Sequence, residues 1–347
     1  MNYREHRGHA IADHFQIRLY ENIEKTTRLS TGAQLFSALD RLTNAERELV
    51  AHLWDAHAST APSAPRLNDP RRVLLRFDLL NELHRQGVNS FGVFRPNQAK
   101  SLSRFPVFLR QTNDHDGPRT RLLQTRSEVT AAIRALRLRG HRLEDLMIVE
   151  YCDTSRPDGV FRKYAAFKVA NHIIPWHVIA SRDWRVKYAS NELSAVRVRE
   201  ELVYLEENPH EAWLRRVFEI AGTDYGRVDY GVLDGVPQLW EINLNPTIGH
   251  GSESRRRATD ADLHALRERE REVFHRRLRE AFVELDDPHP CMEFDVAVDR
   301  PLLVRVRSDA VRARRRGWFL SCLRRLYDHR HLGRPVRAVY TSLFPRR

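Results

Sequence analysis

Hydrophobic and polar residues alternate on both sides of the dipeptide Asp234-Gly235, which is typical of two antiparallel strands joined by a tight turn. One parity forms an apolar face made of Val228, Tyr230, Val232, Val236, Trp240 and Ile242. The other parity carries polar side chains, namely Arg227, Asp229, Glu241 and Asn243. The sequence therefore predicts a hairpin with one face in a hydrophobic core and one polar face.

The length of the turn decides whether Asp229 and Glu241 lie on the same face. A two-residue turn at Asp234-Gly235 would pair Asp229 with Trp240 and send the two carboxylates to opposite faces. A three-residue loop with Gly235 in the left-handed region adds one residue and restores a common face. We predict the three-residue loop.

On a common face, Asp229, Glu241 and Asn243 would form a set of oxygen ligands. Such a set suits Mg²⁺ that is bound together with substrate phosphates. Arg227 would add a guanidinium group for a phosphoryl oxygen. From these residues alone the alternative is the solvated face of a half-buried hairpin, which carries charged side chains in any case.

The segment 227–246 contains Arg-Val-Asp, a hairpin and then Glu-Ile-Asn-Leu-Asn-Pro. This order resembles the metal-binding motif of the ATP-grasp superfamily, which includes D-alanine:D-alanine ligases, glutathione synthetases and glutamate-adding ligases. The resemblance implies that Asp229, Glu241 and Asn243 bind Mg²⁺ and that Arg227 contacts the transferring phosphate of ATP. It implies an α/β (α+β) fold whose ATP-grasp-like core has two subdomains that clamp Mg-ATP, with helical extensions at both ends.

The region that begins at Asn68 also resembles the opening of an ATP-grasp domain, with Asn-x-Pro, a helix and two strands. Arginine stands at Arg76 and Arg110, where the family usually has lysine, and a planar fork is not equivalent to a point charge. The resemblance places both arginines near the phosphates, although Arg110 could also be an ordinary surface cation. The loop 111–121 departs from the family's glycine- and serine-rich pattern because it is acidic around a single glycine.

The apolar run 146–152 predicts a buried strand. In the family such a strand ends at a hinge whose backbone binds the adenine edge, which implies this place for Glu150 and Cys152. The segment 183–188 resembles the one that carries a phosphate-binding lysine in D-alanine:D-alanine ligases, so Lys187 is a candidate, with a solvated lysine as the alternative. Lys163 and Lys168 have opposite parities in a predicted hairpin strand, and at most one of them can face a given ligand.

Composition agrees with a folded protein that holds two or three subdomains, since 41% of the 347 residues are hydrophobic. The 58 Lys and Arg residues exceed the 46 Asp and Glu residues, which gives a net charge of +12 and favours phosphate, nucleic acid or anionic surfaces as partners. Nearly all of these cations are arginine, a bias that genome composition alone could produce.

The three cysteines are few and far apart, which argues against both a disulfide framework and a CxxC metal site. The first residues lack the apolar region of a signal peptide, and no segment has the length of a membrane span. A cytoplasmic location is therefore expected.

The two ends of the chain resemble no family. A helical pattern is predicted from about residue 11 to 57, with a capping box at Thr43 and Glu46. A charged helix is predicted over 260–285, mostly with a solvated surface. From Val311 onward arginines alternate with apolar residues, which predicts a basic amphipathic helix that either packs on the protein or binds a membrane surface, an acidic partner or RNA.

We therefore divide the chain into a helical region with a linker (1–67), a first ATP-grasp-like subdomain (68–145), a hinge with the nucleotide and metal subdomain (146–255) and an arginine-rich extension (256–347). The resemblance implies an ATP- and Mg²⁺-dependent ligase that joins a small-molecule or peptide carboxylate to an amine. Two alternatives remain open, a phosphotransferase on the same fold and a non-catalytic basic adaptor for nucleic acid or membrane.

Overall fold

The computed structural model describes residues 15–20, 28–114, 116–187, 194–246, 261–286, 291–309 and 311–312. Its main helices are α1 (Asn44–Thr60), α2 (Arg76–Arg85), α3 (Arg126–Leu138), α4 (Ala195–Glu207), α5 (Glu211–Ala221) and α6 (Ala261–Val283). Its first six strands are β1 (Arg28–Ser30), β2 (Gln34–Leu35), β3 (Arg66–Leu67), β4 (Val93–Phe94), β5 (Val107–Gln111) and β6 (Leu146–Glu150). The later strands are β7 (Phe161–Val169), β8 (His172–Ser181), β9 (Tyr225–Leu233), β10 (Val236–Asn243) and β11 (Glu293–Asp295).

Helices and strands alternate along the chain, which confirms the predicted α/β class. The described residues form two compact units, one from those within 1–74 and 154–307 and the other from those within 75–153 and 308–312. The first unit contains a four-stranded antiparallel sheet in the order β10-β9-β7-β8. The second contains a three-stranded antiparallel sheet in the order β4-β6-β5.

Helices cover both faces of the four-stranded sheet. On one face Trp213 of α5 packs on Tyr230, with ring centroids 5.0 Å apart. On the other face Phe274 of α6 packs against Phe167 and Trp176 at 5.3 and 5.7 Å. Because Phe274 is almost fully buried, its removal from water contributes roughly 1.5–3 kcal/mol. The prediction that α6 is mostly solvated is therefore wrong for the stripe that holds Phe274, Leu278 and Ala281.

Capping boxes begin two of the helices. At α3 the Thr125 hydroxyl accepts from the Glu128 amide at 3.2 Å, and the Glu128 carboxylate accepts from the Thr125 amide at 3.3 Å. Thr43 and Glu46 form the same pair at α1, as the sequence predicts. These local signals mark the residues at which the two helices begin.

The N-terminal region differs from the predicted run of helix over 11–57. Within its described part, residues 28–30 and 34–35 are strands, and the long helix is confined to Asn44–Thr60. Strand β1 pairs antiparallel with β11 near the other end of the chain, and β2 pairs parallel with β3. The prediction was wrong here because such long-range pairing is decided by partners that local periodicity does not reveal.

Within the described ranges, no helix is both long enough and apolar enough to cross a membrane. A basic helix is predicted from Val311 onward. Only residues 311–312 of it belong to the described part of the chain, and residues 313–347 lie outside it.

His57 of α1 is fully buried and tied to the neighbouring strands. Its Nε2 lies 3.0 Å from the Gly32 carbonyl oxygen, and its Nδ1 lies 3.4 Å from the Arg66 guanidinium. Burial, followed by the Arg66 charge, lowers the pKa of His57. Because Nδ1 accepts from Arg66, the fold favours the neutral ring with its proton on Nε2.

We expect this histidine to make the protein less stable in mild acid. When pH falls below the ordinary histidine pKa of about 6.5, the unfolded chain takes up a proton that folded His57 resists, so the free energy of unfolding declines. Urea unfolding at pH 7 and pH 5 should show a smaller decline for His57→Gln than for the wild type. Equal declines in both proteins would contradict this assignment.

Candidate active site

The hairpin of β9 and β10 has a two-residue turn. Val236 pairs directly with Leu233, and the turn residues Asp234 and Gly235 have φ values of 48° and 82°. Two adjacent left-handed residues are typical of the tight hairpin turn for which Asp-Gly is favoured. The predicted three-residue loop is therefore wrong.

A β-bulge at Trp240 supplies the extra residue instead. Leu239 pairs with Tyr230 and Glu241 pairs with Asp229, so Trp240 is inserted between two regular pairs. The bulge restores the parity that the short turn would have lost. The Trp240 ring lies over Gly231, where a Cβ atom would be only 2.6 Å from Trp240 Cζ2. Glycine at position 231 therefore makes room for the bulged ring.

Asp229 and Glu241 consequently face each other on the same side of the sheet. The next pair on this face is Arg227 with Asn243, one rung beyond the intervening pair of Val228 with Ile242, so the four polar residues form two successive pairs on one face. The Cβ atoms of directly opposed residues lie about 4.5–5.5 Å apart, and like charges at that separation repel. Two opposed carboxylates therefore require cations nearby.

Asp229 is a buried carboxylate held by two cations. Its Oδ1 accepts from Arg227 Nε at 2.8 Å, and its Oδ2 accepts from Arg227 Nη2 at 3.2 Å and from Lys163 Nζ at 3.3 Å. Burial alone would raise the pKa of Asp229, but the charges of Arg227 and Lys163 outweigh it and lower the pKa. Asp229 is therefore ionised at neutral pH.

Lys163 is the site residue that sequence reasoning left undecided. Its parity placed it on the face opposite to Lys168, but nothing in the sequence showed which face carries the acids. In the structure Lys168 instead donates to the Thr223 carbonyl at 2.8 Å and lies 3.6 Å from Asp224. The register of β7 against β9, in which Ala165 pairs with Asp229, brings Lys163 and not Lys168 to the acids.

A second bulged tryptophan supports Arg227. The pairing of β7 with β8 steps from Ala165–His177 to Ala166–Pro175, which leaves Trp176 as the extra residue. The Arg227 guanidinium carbon lies 5.0 Å from the Trp176 ring centroid, within cation–π range. Arg227 is thus fixed both by a ring and by the carboxylate of Asp229.

Asn243 completes the oxygen donors on this face. It is buried, and its side-chain oxygen accepts from the Asn245 amide at 3.0 Å. An amide oxygen has two lone pairs, so this bond leaves one for another ligand. Two carboxylates and an amide oxygen fit a hard cation such as Mg²⁺. Within the described part of the chain, no cluster of three or more His, Cys, Asp and Glu residues could hold a metal, so Asn243 and substrate oxygens would have to complete the coordination.

A chain of hydrogen bonds on the opposite face stabilises the strand that carries Asp229. The Tyr230 hydroxyl donates to the Tyr204 hydroxyl at 3.0 Å, which donates to the Ala165 carbonyl at 3.1 Å. His210 Nδ1 lies 2.9 Å from the Tyr230 oxygen and, because that hydroxyl donates to Tyr204, carries the proton. Burial followed by the Arg156 charge lowers the pKa of His210, which keeps its ring neutral. This series of hydrogen bonds ends at Ala165, which pairs with Asp229 across β7 and β9.

Lys187 is exposed in the segment after β8. Nearby, Arg185 binds the Asp183 carboxylate at 2.8 Å, and the charges of Arg185 and then Lys187 lower the pKa of Asp183. The predicted contact of Lys187 with a phosphate stays a prediction.

Arg76 and Arg110, in the other unit, are both buried against the acidic loop. Arg76 Nη1 donates to the carbonyls of Thr112 at 2.9 Å and Asp114 at 2.7 Å, and Arg110 Nη2 lies 3.4 Å from the same Asp114 carbonyl. Both guanidinium groups thus contribute to the shape of the loop. Their predicted phosphate contacts remain predictions.

Arg119 neutralises the acids that made this loop an unusual match to the family. Its Nη2 contacts the carboxylates of Asp114 and Asp116 and donates to the Gln111 side chain at 2.7 Å. The repulsion that two free carboxylates would exert on a phosphate is reduced accordingly.

Glu150 uses its side chain within its own sheet. Its Oε2 accepts from the Gly92 amide at 2.8 Å and lies 3.4 Å from Arg104 Nη1. The Cys152 sulfur lies 3.7 Å from the Ser90 hydroxyl. The predicted adenine contacts of Glu150 and Cys152 depend on main-chain groups and remain predictions.

No family model matches the chain, and comparison with curated proteins finds no relative. Solved structures do resemble it. An L-amino acid ligase from Bacillus licheniformis is 13% identical, with 56% of this chain aligned to 46% of that one at a TM-score of 0.34. A D-alanine–D-alanine ligase from Bacillus anthracis, complexed with ATP, is 15% identical over 65% of this chain and 73% of that one, at 0.34. An N5-carboxyaminoimidazole synthase from Aspergillus clavatus is 14% identical, with 59% of this chain aligned to 53% of that one at a TM-score of 0.37.

These structures are ATP-grasp ligases, the superfamily that the motif at Asp229, Glu241 and Asn243 resembles. The chain spans about half the length of the Bacillus licheniformis ligase. At such identities and TM-scores the overlap is partial, and the function of this chain has to be argued from its own residues.

Proposed function

We propose that this protein is an ATP- and Mg²⁺-dependent ligase that joins a carboxylic acid to an amine or a similar nucleophile. The observation that carries the proposal is the pairing of Asp229 with Glu241 on one face of the β9–β10 hairpin, with Arg227 and Asn243 as the next pair on the same face. A solvated hairpin face would not bury Asp229 to 4% exposure between two cations. Phosphoryl transfer requires metal ligands and cations in one place, and this face carries both kinds of group.

The reaction proceeds in two balanced steps. A carboxylate oxygen of the acid attacks the γ-phosphorus of ATP, and the bond to the β-γ bridging oxygen breaks, which yields an acyl phosphate and ADP. The amine nitrogen then attacks the acyl carbon, loses a proton, and inorganic phosphate leaves with the oxygen that came from the acid. Neither step requires a serine or cysteine nucleophile of the protein.

The residues divide this work by their chemistry. Asp229, Glu241 and Asn243 would hold Mg²⁺, which when bound supplies positive charge to the phosphate oxygens. Arg227 would place its positive charge beside a γ-phosphoryl oxygen, with its side chain held by Asp229 and the Trp176 ring. Lys187, Arg110 and Arg76 are the further candidates for phosphate contacts, and the main chain at Glu150 and Cys152 is the candidate for the adenine edge.

Replacing Glu241 by alanine should lower the affinity for Mg-ATP by about a hundredfold, because a metal ligand is lost while Asp229 keeps its two cations. Isothermal titration of Mg-ATP into both proteins measures the change. Glu219→Ala, at an exposed position of α5, is the matched control and should bind as the wild type does. Equal heats in wild type and Glu241→Ala would remove the metal assignment.

A phosphate-release assay with a panel of carboxylic acids and amines tests the reaction itself. A ligase releases inorganic phosphate only when acid and amine are both present, whereas a phosphotransferase on the same fold leaves the phosphate on its product. Wild-type protein that binds no Mg-ATP, yet loses nucleic-acid or vesicle binding when it is truncated after Leu285, would support the adaptor alternative instead.

A further inference from the structure

Two acids and two cations lie together at Asp229. Asp229 and Glu241 are opposed on the ladder, and Arg227 and Lys163 supply two positive charges against them. Both oxygens of Asp229 accept from these cations at 2.8–3.3 Å. The carboxylate that should hold a metal is therefore already neutralised by side chains.

A divalent cation alone would unbalance this cluster. It would add two positive charges beside the buried Asp229, whose own charge Arg227 and Lys163 already offset, at a place where electrostatic interactions are screened less than in water. A metal that arrives with a nucleotide brings the negative charge of the phosphates as well. The phosphate oxygens can then accept from a cation that Asp229 gives up.

We propose that Lys163 occupies the metal's place on Asp229 and moves to a phosphate oxygen when the nucleotide enters, so that this protein binds its divalent cation only together with a nucleotide. The inference rests on the proposed function for the identity of the metal site, and it assigns Lys163 as a positioning residue that sets the order of binding.

Lys163, rather than Arg227, is the cation free to move. Arg227 makes two hydrogen bonds to Asp229 and lies over the Trp176 ring. Lys163 makes one contact of 3.3 Å through an ammonium group at the end of four flexible methylenes.

Mn²⁺ binding to the full chain in the absence of nucleotide tests the proposal, measured as loss of the free Mn²⁺ signal in electron paramagnetic resonance. Wild type should bind Mn²⁺ weakly alone and much more tightly once ATP is added. Lys163→Met should raise the affinity for Mn²⁺ alone by roughly tenfold to a hundredfold, because Asp229 loses one of its two cations. Lys163→Arg keeps the charge and should behave as the wild type does.

Lys168→Met is the matched control, since Lys168 lies on the same strand and contacts Thr223 and Asp224 instead. It should leave Mn²⁺ binding unchanged. The inference is overturned if Lys163→Met and wild type bind Mn²⁺ alone equally, or if Lys163→Arg matches Lys163→Met. If Lys163→Met gains Mn²⁺ binding while wild type never binds ATP, the exchange at Asp229 stands and the proposed ligase function fails.

Discussion

Asp229→Asn should destabilise the protein by about 3–5 kcal/mol, the usual cost of removing one partner from a buried ion pair. The asparagine keeps the shape of the side chain but leaves Arg227 and Lys163 side by side as two cations without their anion. Asp229 is only 4% exposed, so water does little to reduce this penalty. We expect Mg-ATP binding to be lost together with the stability.

Urea unfolding followed by tryptophan fluorescence measures the loss. Asp234→Asn is the control at an exposed turn position of the same hairpin, where asparagine also adopts the left-handed conformation, and it should change stability by less than about 0.5 kcal/mol. The double variant with Lys163→Met should recover part of the loss, since one of the two stranded cations is gone. A single Asp229→Asn variant as stable as the wild type would show that the ion pairs contribute no stability.

The second large effect is expected at Asn68, where asparagine to alanine should cost about 3–5 kcal/mol. Asn68 is fully buried, and its Nδ2 donates to the carbonyls of Phe36 at 3.0 Å and Tyr225 at 2.9 Å. Its Oδ1 accepts from the amides of Asp224 at 2.8 Å and Tyr225 at 2.9 Å. Alanine would leave these four main-chain groups without that partner, three of them at the start of β9.

Two further variants separate the loss of the side-chain hydrogen bonds from the backbone strain at position 68. Asn68 has φ of 68°, which alanine adopts at a cost and glycine does not, so Asn68→Gly isolates the loss of the side-chain bonds. Asn171→Ala, at an exposed turn position between β7 and β8, is the control and should have little effect. Thermal unfolding of the four proteins gives the comparison, and a loss for Asn68→Ala no larger than that for Asn171→Ala would contradict the role of Asn68.

Local patterns predicted much of what surrounds the site. The capping box at Thr43 and the hairpin signal at Asp234-Gly235 act through neighbours in sequence, and both appear where they were expected. The helix that follows the hairpin along the chain, α6, likewise lies within the predicted range 260–285. These features depend on residues only a few positions apart.

The features that the sequence did not reveal depend on partners far along the chain. Lys163 meets Asp229 only because β7 and β9 adopt one particular register. Arg76 and Arg110 contact carbonyls of a loop whose path no periodicity encodes. The pairing of β1 with β11 joins segments more than two hundred residues apart. A glycine on the polar parity at position 231 was the one available sign that a large ring would lie across it.

The bulge at Trp240 sets the face of the sheet on which every later side chain of β10 lies. With Asp229 fixed by its cations, the side to which Glu241 points depends on whether the number of residues between them is odd or even. Lengthening or shortening the turn by two residues preserves the phase, whereas a change of one rotates Glu241 and Asn243 beneath helix α5. The strands would still pair, but their acids would no longer meet.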